Sequence, residues 1–225
     1  MLYNESRTTH TDPLSSPARG RLITFEGIDG SGKSTQIDYL SRSLTASGHQ
    51  IMVLREPGGT RIGESIRSIL LDRSNTDMCM EAELLLFAAA RAQIVQEVIV
   101  PELEAGRWII CDRFADSTTA YQGYGRQLDL AVIASLNQLA VGSCKPDMTI
   151  WLDLPVETAL ERLAQRERKQ DRMDQENIAF MERTREGYRQ LADAEPDRIV
   201  RMDATQSEKE LAEMIYRTVR EDLST

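Results

Sequence analysis

Gly27-Ile28-Asp29-Gly30-Ser31-Gly32-Lys33-Ser34 fits G-x-x-x-x-G-K-[ST] at every fixed position. The glycines free the backbone to turn its N–H groups toward one point. Those groups, with a helix N-terminus behind them, make an anion site. Lys33 sets a point charge on the β and γ phosphates of a nucleotide. The Ser34 hydroxyl can ligate the Mg²⁺ that bridges them, and Thr35 follows in the same turn. The loop says that a nucleotide phosphate binds, not what happens to it.

Other residues could complete a phosphoryl-transfer site. Asp112 closes an apolar run, Trp108-Ile109-Ile110-Cys111, where an acidic residue orders Mg²⁺ and its waters. Arg113 adds a cation at the same edge. Arg55-Glu56-Pro57-Gly58-Gly59-Thr60 reads as a tight loop at the end of another strand, the edge that holds ligands in open parallel sheets. Arg91 stands four residues after Phe87 on an otherwise apolar helix and so shares its face. An arginine there is costly unless paired. It is either a salt-bridge partner or a ligand to substrate. Arg162, Arg166, Arg168, Lys169 and Arg172 form the densest basic cluster in the chain. This is either a solvated helical face or a lid that closes arginines over a triphosphate.

These residues need strands to hold them. Strands are expected at Leu22 to Phe25, Gln50 to Leu54, Trp108 to Cys111, Met148 to Leu154 and Arg198 to Met202. Helical patterns lie between them. One runs from Met80 to Gly106 with a break expected near Pro101, and an amphipathic one covers Leu128 to Val141. Alternating strands and helices predict an α/β fold with a five-stranded, parallel, doubly wound sheet. The 225 residues suit one domain from 21 to 225, carrying a lid at about 162–174. Residues 1–20, polar with Pro13 and Pro17, are expected to be a disordered tail.

A net charge of −9 argues against a nucleic-acid or anionic-membrane partner. No run approaches the roughly 18 apolar residues of a membrane span. The tail lacks a signal peptide's apolar core. A soluble, cytoplasmic protein is expected. Cys79, Cys111 and Cys144 form no C-x-x-C pair, so they read as free thiols. With His10 and His49 the only histidines, a histidine-based triad or metal site is not expected.

The chain resembles the thymidylate kinase family. The resemblance rests on the phosphate loop, the Arg55-Glu56-Pro57 loop and Ile110-Cys111-Asp112-Arg113-Phe114-Ala115-Asp116-Ser117-Thr118-Thr119-Ala120-Tyr121-Gln122-Gly123, with Phe87 and Arg91 in place. It implies a nucleoside monophosphate kinase fold, usually a homodimer, that transfers the ATP γ-phosphoryl group to dTMP. By this resemblance Phe87 stacks on thymine and Arg91 donates to its O4. Arg55 and Arg113, with Pro57 in the same loop, hold the dTMP phosphate. Asp29 reaches the 3′-hydroxyl, Tyr121 packs against C2′, and Thr118 and Gln122 line the base site. Some members carry a catalytic arginine just before the Ser31 position. Gly30 stands there instead, as in the bacterial type whose transition-state arginines come from the lid, here foremost Arg166 and Arg172. The Met80 to Gly106 helix, more apolar than one core-facing stripe requires, is the expected dimer surface.

A different P-loop nucleoside or nucleotide kinase would share loop and sheet. A GTP-dependent switch would carry N-K-x-D after a late strand, and the chain has none. A non-catalytic nucleotide-binding protein would be expected to lack Lys33, Asp112 or the lid arginines.

Overall fold

The computed structural model describes residues 19–165, 172 and 177–223. The tail up to residue 18 and most of the expected lid, including Arg166 and Arg168, lie outside the described residues. Arg19 and Gly20, counted with the tail, are anchored. Arg19 pairs with Asp147 at 3.4 Å, and the buried Gly20 donates its N–H to Leu103 O at 2.8 Å.

Five strands form one sheet in the order β2-β3-β1-β4-β5, with every pairing parallel. They are β1 (Leu22–Glu26), β2 (Ile51–Arg55), β3 (Trp108–Asp112), β4 (Met148–Asp153) and β5 (Ile199–Asp203). Each lies within a residue or so of its expected span. The helices are α1 (Lys33–Ala46), α2 (Arg61–Leu71), α3 (Met80–Ile94), α4 (Val100–Glu104), α5 (Ala115–Thr118), α6 (Leu130–Val141), α7 (Val156–Ala164), α8 (Ile178–Ala194) and α9 (Glu208–Leu223).

Strand alternation splits the core in two. Ile23 and Phe25 face one side, against Ile37, Leu40 and Leu44 of α1 and Ile215 and Val219 of α9. Leu22 faces the other, with Ile94, Ile99, Leu103 and Val141. The chain leaves β1 toward β2 on one flank and reaches β4 on the other. The crevice of such a sheet therefore opens at the C-terminal end of β1, where the phosphate loop sits.

The helix expected to break near Pro101 does not break. α3 widens into a π turn, Val95–Ile99, and continues as α4, with Pro101 in the first turn of α4. The wide turn accommodates the proline ring and its missing N–H. By length and composition alone Met80–Glu104 is long and apolar enough to cross a membrane, with a best-window mean hydropathy of 1.5, and 39% of that window is buried inside the fold. In this fold it gives Ile94, Val95, Ile99 and Leu103 to the core and leaves Met80 and Leu85 exposed. α6 is not amphipathic as expected, because it is apolar on its outer face too: Leu139 is 81% exposed, and Leu130 and Val132 also point outward.

Candidate active site

The phosphate loop leaves β1 and feeds α1 through Gly32, which adopts the left-handed conformation at φ +95°. Lys33, in the first turn, is buried and donates from Nζ to the carbonyls of Gly27 (2.9 Å) and Ile28 (3.1 Å). Burial and the Arg113 charge pull its ammonium down to about 8 against the opposing carboxylates of Asp29, Asp112 and Glu26. Ser34 is exposed beside it. Ile28, expected among the nucleotide-binding residues, contributes its carbonyl while its side chain belongs to the core.

Arg113 follows β3 with φ +71°, a left-handed backbone in a non-glycine residue. Such a conformation costs about 1–3 kcal/mol and persists only where neighbours hold it. Here they do. Nη1 donates to Gly27 O (3.0 Å), Ser117 Oγ (3.1 Å) and Tyr188 OH (3.2 Å), and Nη2 to Asp29 Oδ1 (2.8 Å) and Tyr121 OH (2.9 Å). The guanidinium also lies 4.8 Å from the Tyr121 ring centroid. Beneath it, Glu26 ends β1 wholly buried. Its oxygens accept from Phe114 N (2.7 Å), Ser117 Oγ (2.6 Å) and Tyr188 OH (2.8 Å). Burial first, and the Asp116 charge second, raise the Glu26 carboxyl to about 7. Two hydroxyls thus relay between a carboxylate and the arginine they orient.

A cavity of about 310 Å³ opens over these groups. That is room for a small ligand. Lys33, Asp112, Arg113 and Arg55 are among the residues that line it. Phe87, Arg91, Thr118, Tyr121, Gln122 and Pro57 line it too. Arg91 is 1% exposed and pairs with Glu56 Oε2 at 2.7 Å. The salt-bridge reading of Arg91 therefore holds, yet the residue also faces the cavity. Its terminal nitrogens serve Thr118 Oγ1, Asn137 Oδ1 and Phe114 O as well, which leaves Nε without a partner. Glu56 Oε1 and Asp112 Oδ1 are likewise buried and unpaired. Three orphaned polar atoms on residues lining one cavity are what a polar ligand would satisfy.

A second cavity, about 390 Å³, lies across the loop. Gly30, Ser31, Gly32 and Thr35 line it together with Arg162, Gln165 and Gln206. Gly30 and Gly32 border both cavities.

Residues 25–215 match the family model for thymidylate kinase. The chain belongs to the thymidylate kinase family. It is 52% identical over 191 residues to the thymidylate kinase of Desulfovibrio desulfuricans, covering 82% of this chain and 88% of the relative. It is 51% identical over 189 residues to that of Geobacter sulfurreducens, covering 82% and 89%. The crystal structure of thymidylate kinase from Ehrlichia chaffeensis superposes with a TM-score of 0.74 at 32% identity, over 90% of this chain and 99% of that one.

Within this thymidylate kinase fold, three expected site residues line neither cavity: Gly27 and Ile28, which offer their carbonyls to Lys33, and Arg172. Arg172 donates from Nε to Leu70 O at 2.8 Å and from Nη2 to Glu83, at the foot of α3. Sequence reasoning missed Glu56, Arg67 and Ser117 on the first cavity and Gln165 and Gln206 on the second, while Arg162 of the expected lid cluster does line the second. It also missed Glu26 and Tyr188 below Arg113. A carboxylate ending an apolar strand, as in Leu22–Glu26, was the available signal, because a buried charge must be partnered.

Proposed function

We propose that the chain transfers the ATP γ-phosphoryl group to dTMP, giving dTDP and ADP for dTTP synthesis. One observation carries this reading: a single cavity is lined both by Lys33 and Arg113 and by Phe87, Arg91, Thr118 and Gln122, on the loop that borders a second cavity. The monophosphate takes the first cavity and ATP the second, with their phosphates meeting over Gly30 and Gly32. Phe87 stacks on the base. Arg91 Nε–H donates to thymine O4, where cytosine would present an amino group. Arg55, with Arg67 beside it, holds the dTMP phosphate together with Arg113. Asp29 and Tyr121, both on Arg113, face the sugar. Lys33 arrives protonated, since an adjacent phosphate raises an ammonium already near 8.

Ser34 and Asp112 are the residues that would hold Mg²⁺, and the unpaired Asp112 Oδ1 fits that role. When bound, the ion neutralises charge on the phosphates. The acceptor oxygen is already anionic, so no strong general base is required. Catalysis is positioning and charge stabilisation by Lys33, Arg113 and the lid arginines, Arg166 above all. A cytoplasmic homodimer is the working state. Its surface extends beyond α3 to the outward apolar residues Ile62 and Ile69 of α2 and Leu130, Val132 and Leu139 of α6, helices that pack against α3.

The test is phosphoryl transfer from ATP to each common nucleoside monophosphate, for the wild type and for Lys33→Ala. The reading requires dTMP to be preferred and the variant to be nearly inactive. Preference for another monophosphate would assign the site to a different kinase of the class. A folded Lys33→Ala enzyme with wild-type turnover would remove the kinase reading.

A further inference from the structure

Glu83, in the first turn of α3, is 1% exposed, and both of its oxygens are filled by donors. Oε1 accepts from Gln122 Nε2 at 2.8 Å and Arg126 Nε at 3.2 Å. Oε2 accepts from Arg126 Nη2 at 3.1 Å and from Arg172. Burial alone would push this carboxyl up. Hydrogen bonds from Arg126, Gln122 and Arg172 and the Arg126 charge outweigh it and hold the group below the usual carboxylate range. An ionised carboxylate is an acceptor only. It admits the NH₂ end of the Gln122 amide and repels the carbonyl end. The orientation of this amide, open to question in most glutamines, is thus decided by its neighbour's charge. Gln122 lines the first cavity beside Arg91 and Thr118, and its Oε1 accepts no hydrogen bond from the described residues.

We propose that Glu83 is a positioning residue for base selection: by holding the NH₂ of Gln122, it fixes the Gln122 carbonyl as an acceptor in the cavity. The proposal rests on the dTMP reading above. A fixed acceptor suits a base whose ring nitrogen carries hydrogen, as N3–H of thymine does. It rejects a base whose ring nitrogen is a bare acceptor, as N3 of cytosine is. Two buried acceptors facing each other leave both unpaired. An amide free to turn over would meet either base and select neither. Arg91 would read the exocyclic group of the base. The Glu83–Gln122 pair reads the ring atom next to it, so the two residues discriminate at separate atoms.

The test is Glu83→Gln, which keeps the shape and lets position 83 offer either amide end to Gln122. Steady-state kcat/KM is measured for dTMP and dCMP, with a thermal melt to establish folding. The expected result is a dTMP-to-dCMP ratio lowered about tenfold, with kcat/KM for dCMP rising in absolute terms. A residue that merely ties α3 to its neighbours would lower both substrates in proportion. An unchanged ratio would therefore overturn the proposal. Wild-type enzyme inactive on dTMP would be a different failure, that of the substrate reading itself. If Glu83→Gln does not fold, the wild type decides. The Gln122 side-chain amide protons, assigned by their loss in Gln122→Met, should be protected from solvent exchange without nucleotide and unchanged when dTMP binds. Protons that exchange freely until dTMP is added would put the NH₂ in the cavity and overturn the assignment.

Discussion

Glu26 should make the protein less stable as pH rises through neutrality, and Glu26→Gln should remove that loss. The carboxyl moves from its usual 4.5 in the unfolded chain to about 7 in the fold, through burial first and the charge of Asp116 second. Between those values the folded state keeps a proton that the unfolded state has released. The folded state then binds more protons, and unfolding free energy falls with rising pH. The stability tied to this group is fully present below 4.5 and lost as pH passes about 7. A displacement of that size corresponds to about 3 kcal/mol once ionisation is complete, a large share of a domain's net stability. Glutamine keeps the shape and cannot ionise. Urea unfolding of both proteins near pH 5 and near pH 8, followed by the fluorescence of Trp108 and of Trp151, which stacks on Tyr188 at 6.3 Å between ring centroids, isolates the difference. Other titrating groups, such as the buried Glu56, are common to both and cancel. The variant should gain on the wild type by about 2.5 kcal/mol between the two conditions, since part of the effect is already lost at pH 5. A gap that moves by less than about 1 kcal/mol, under one tenfold step in equilibrium constant, would refute the account of Glu26.

Arg91→Ala should destabilise by about 3–5 kcal/mol, because it strands the buried Glu56 carboxylate, and should also erode the preference for dTMP over dCMP. Thermal melts with kcat/KM for both nucleotides check this, and an intact preference would confine Arg91 to its role as the partner of Glu56. Leu139→Glu places a charge on the most exposed large apolar side chain of α6 and should yield monomers in sedimentation at micromolar concentration. An unaltered dimer would exclude that helix from the interface. Arg166→Ala should lower kcat by roughly 10³ or more with little change in the KM for dTMP, the mark of an interaction made in the transition state. A kcat within about twofold of wild type, well short of one tenfold step, would move that charge elsewhere.

What the sequence disclosed was local. The phosphate loop is contiguous, so its chemistry is written in eight consecutive residues. Phe87 and Arg91 were legible as a pair because helical spacing puts them on one face. The strands were legible because β1, β3 and β4 are buried and read as apolar runs. The groups that orient Arg113 were not legible. Tyr188 reaches Glu26 across 162 positions of chain, and Arg113 reaches Asp29 across 84. Only the strand order brings such residues together, and no local pattern encodes a meeting at that separation. Glu83 was hidden for a similar reason, since its partners are Gln122 and Arg126 in the segment after β3 and the distant Arg172. The helix continuing through Pro101 failed differently. A π turn is a backbone accommodation with no side-chain signature.

In lineage terms, the closeness of Gly30 to α7 acts as a ratchet. A Cβ at position 30 would stand 2.7 Å from the Ala159 carbonyl, and the φ of +88° already disfavours any side chain there. The arginine that other members place in this loop cannot be reached here by one substitution, because α7 would have to withdraw first. Withdrawal alone would strip packing from the loop before any catalytic gain arrived. If the lid arginines carry the transition-state charge as proposed, they could not be dispensed with until a loop arginine replaced them. On the proposed reading, in which the lid supplies the transition-state arginines, this backbone contact between Gly30 and α7 would hold descendants of the chain to that arrangement.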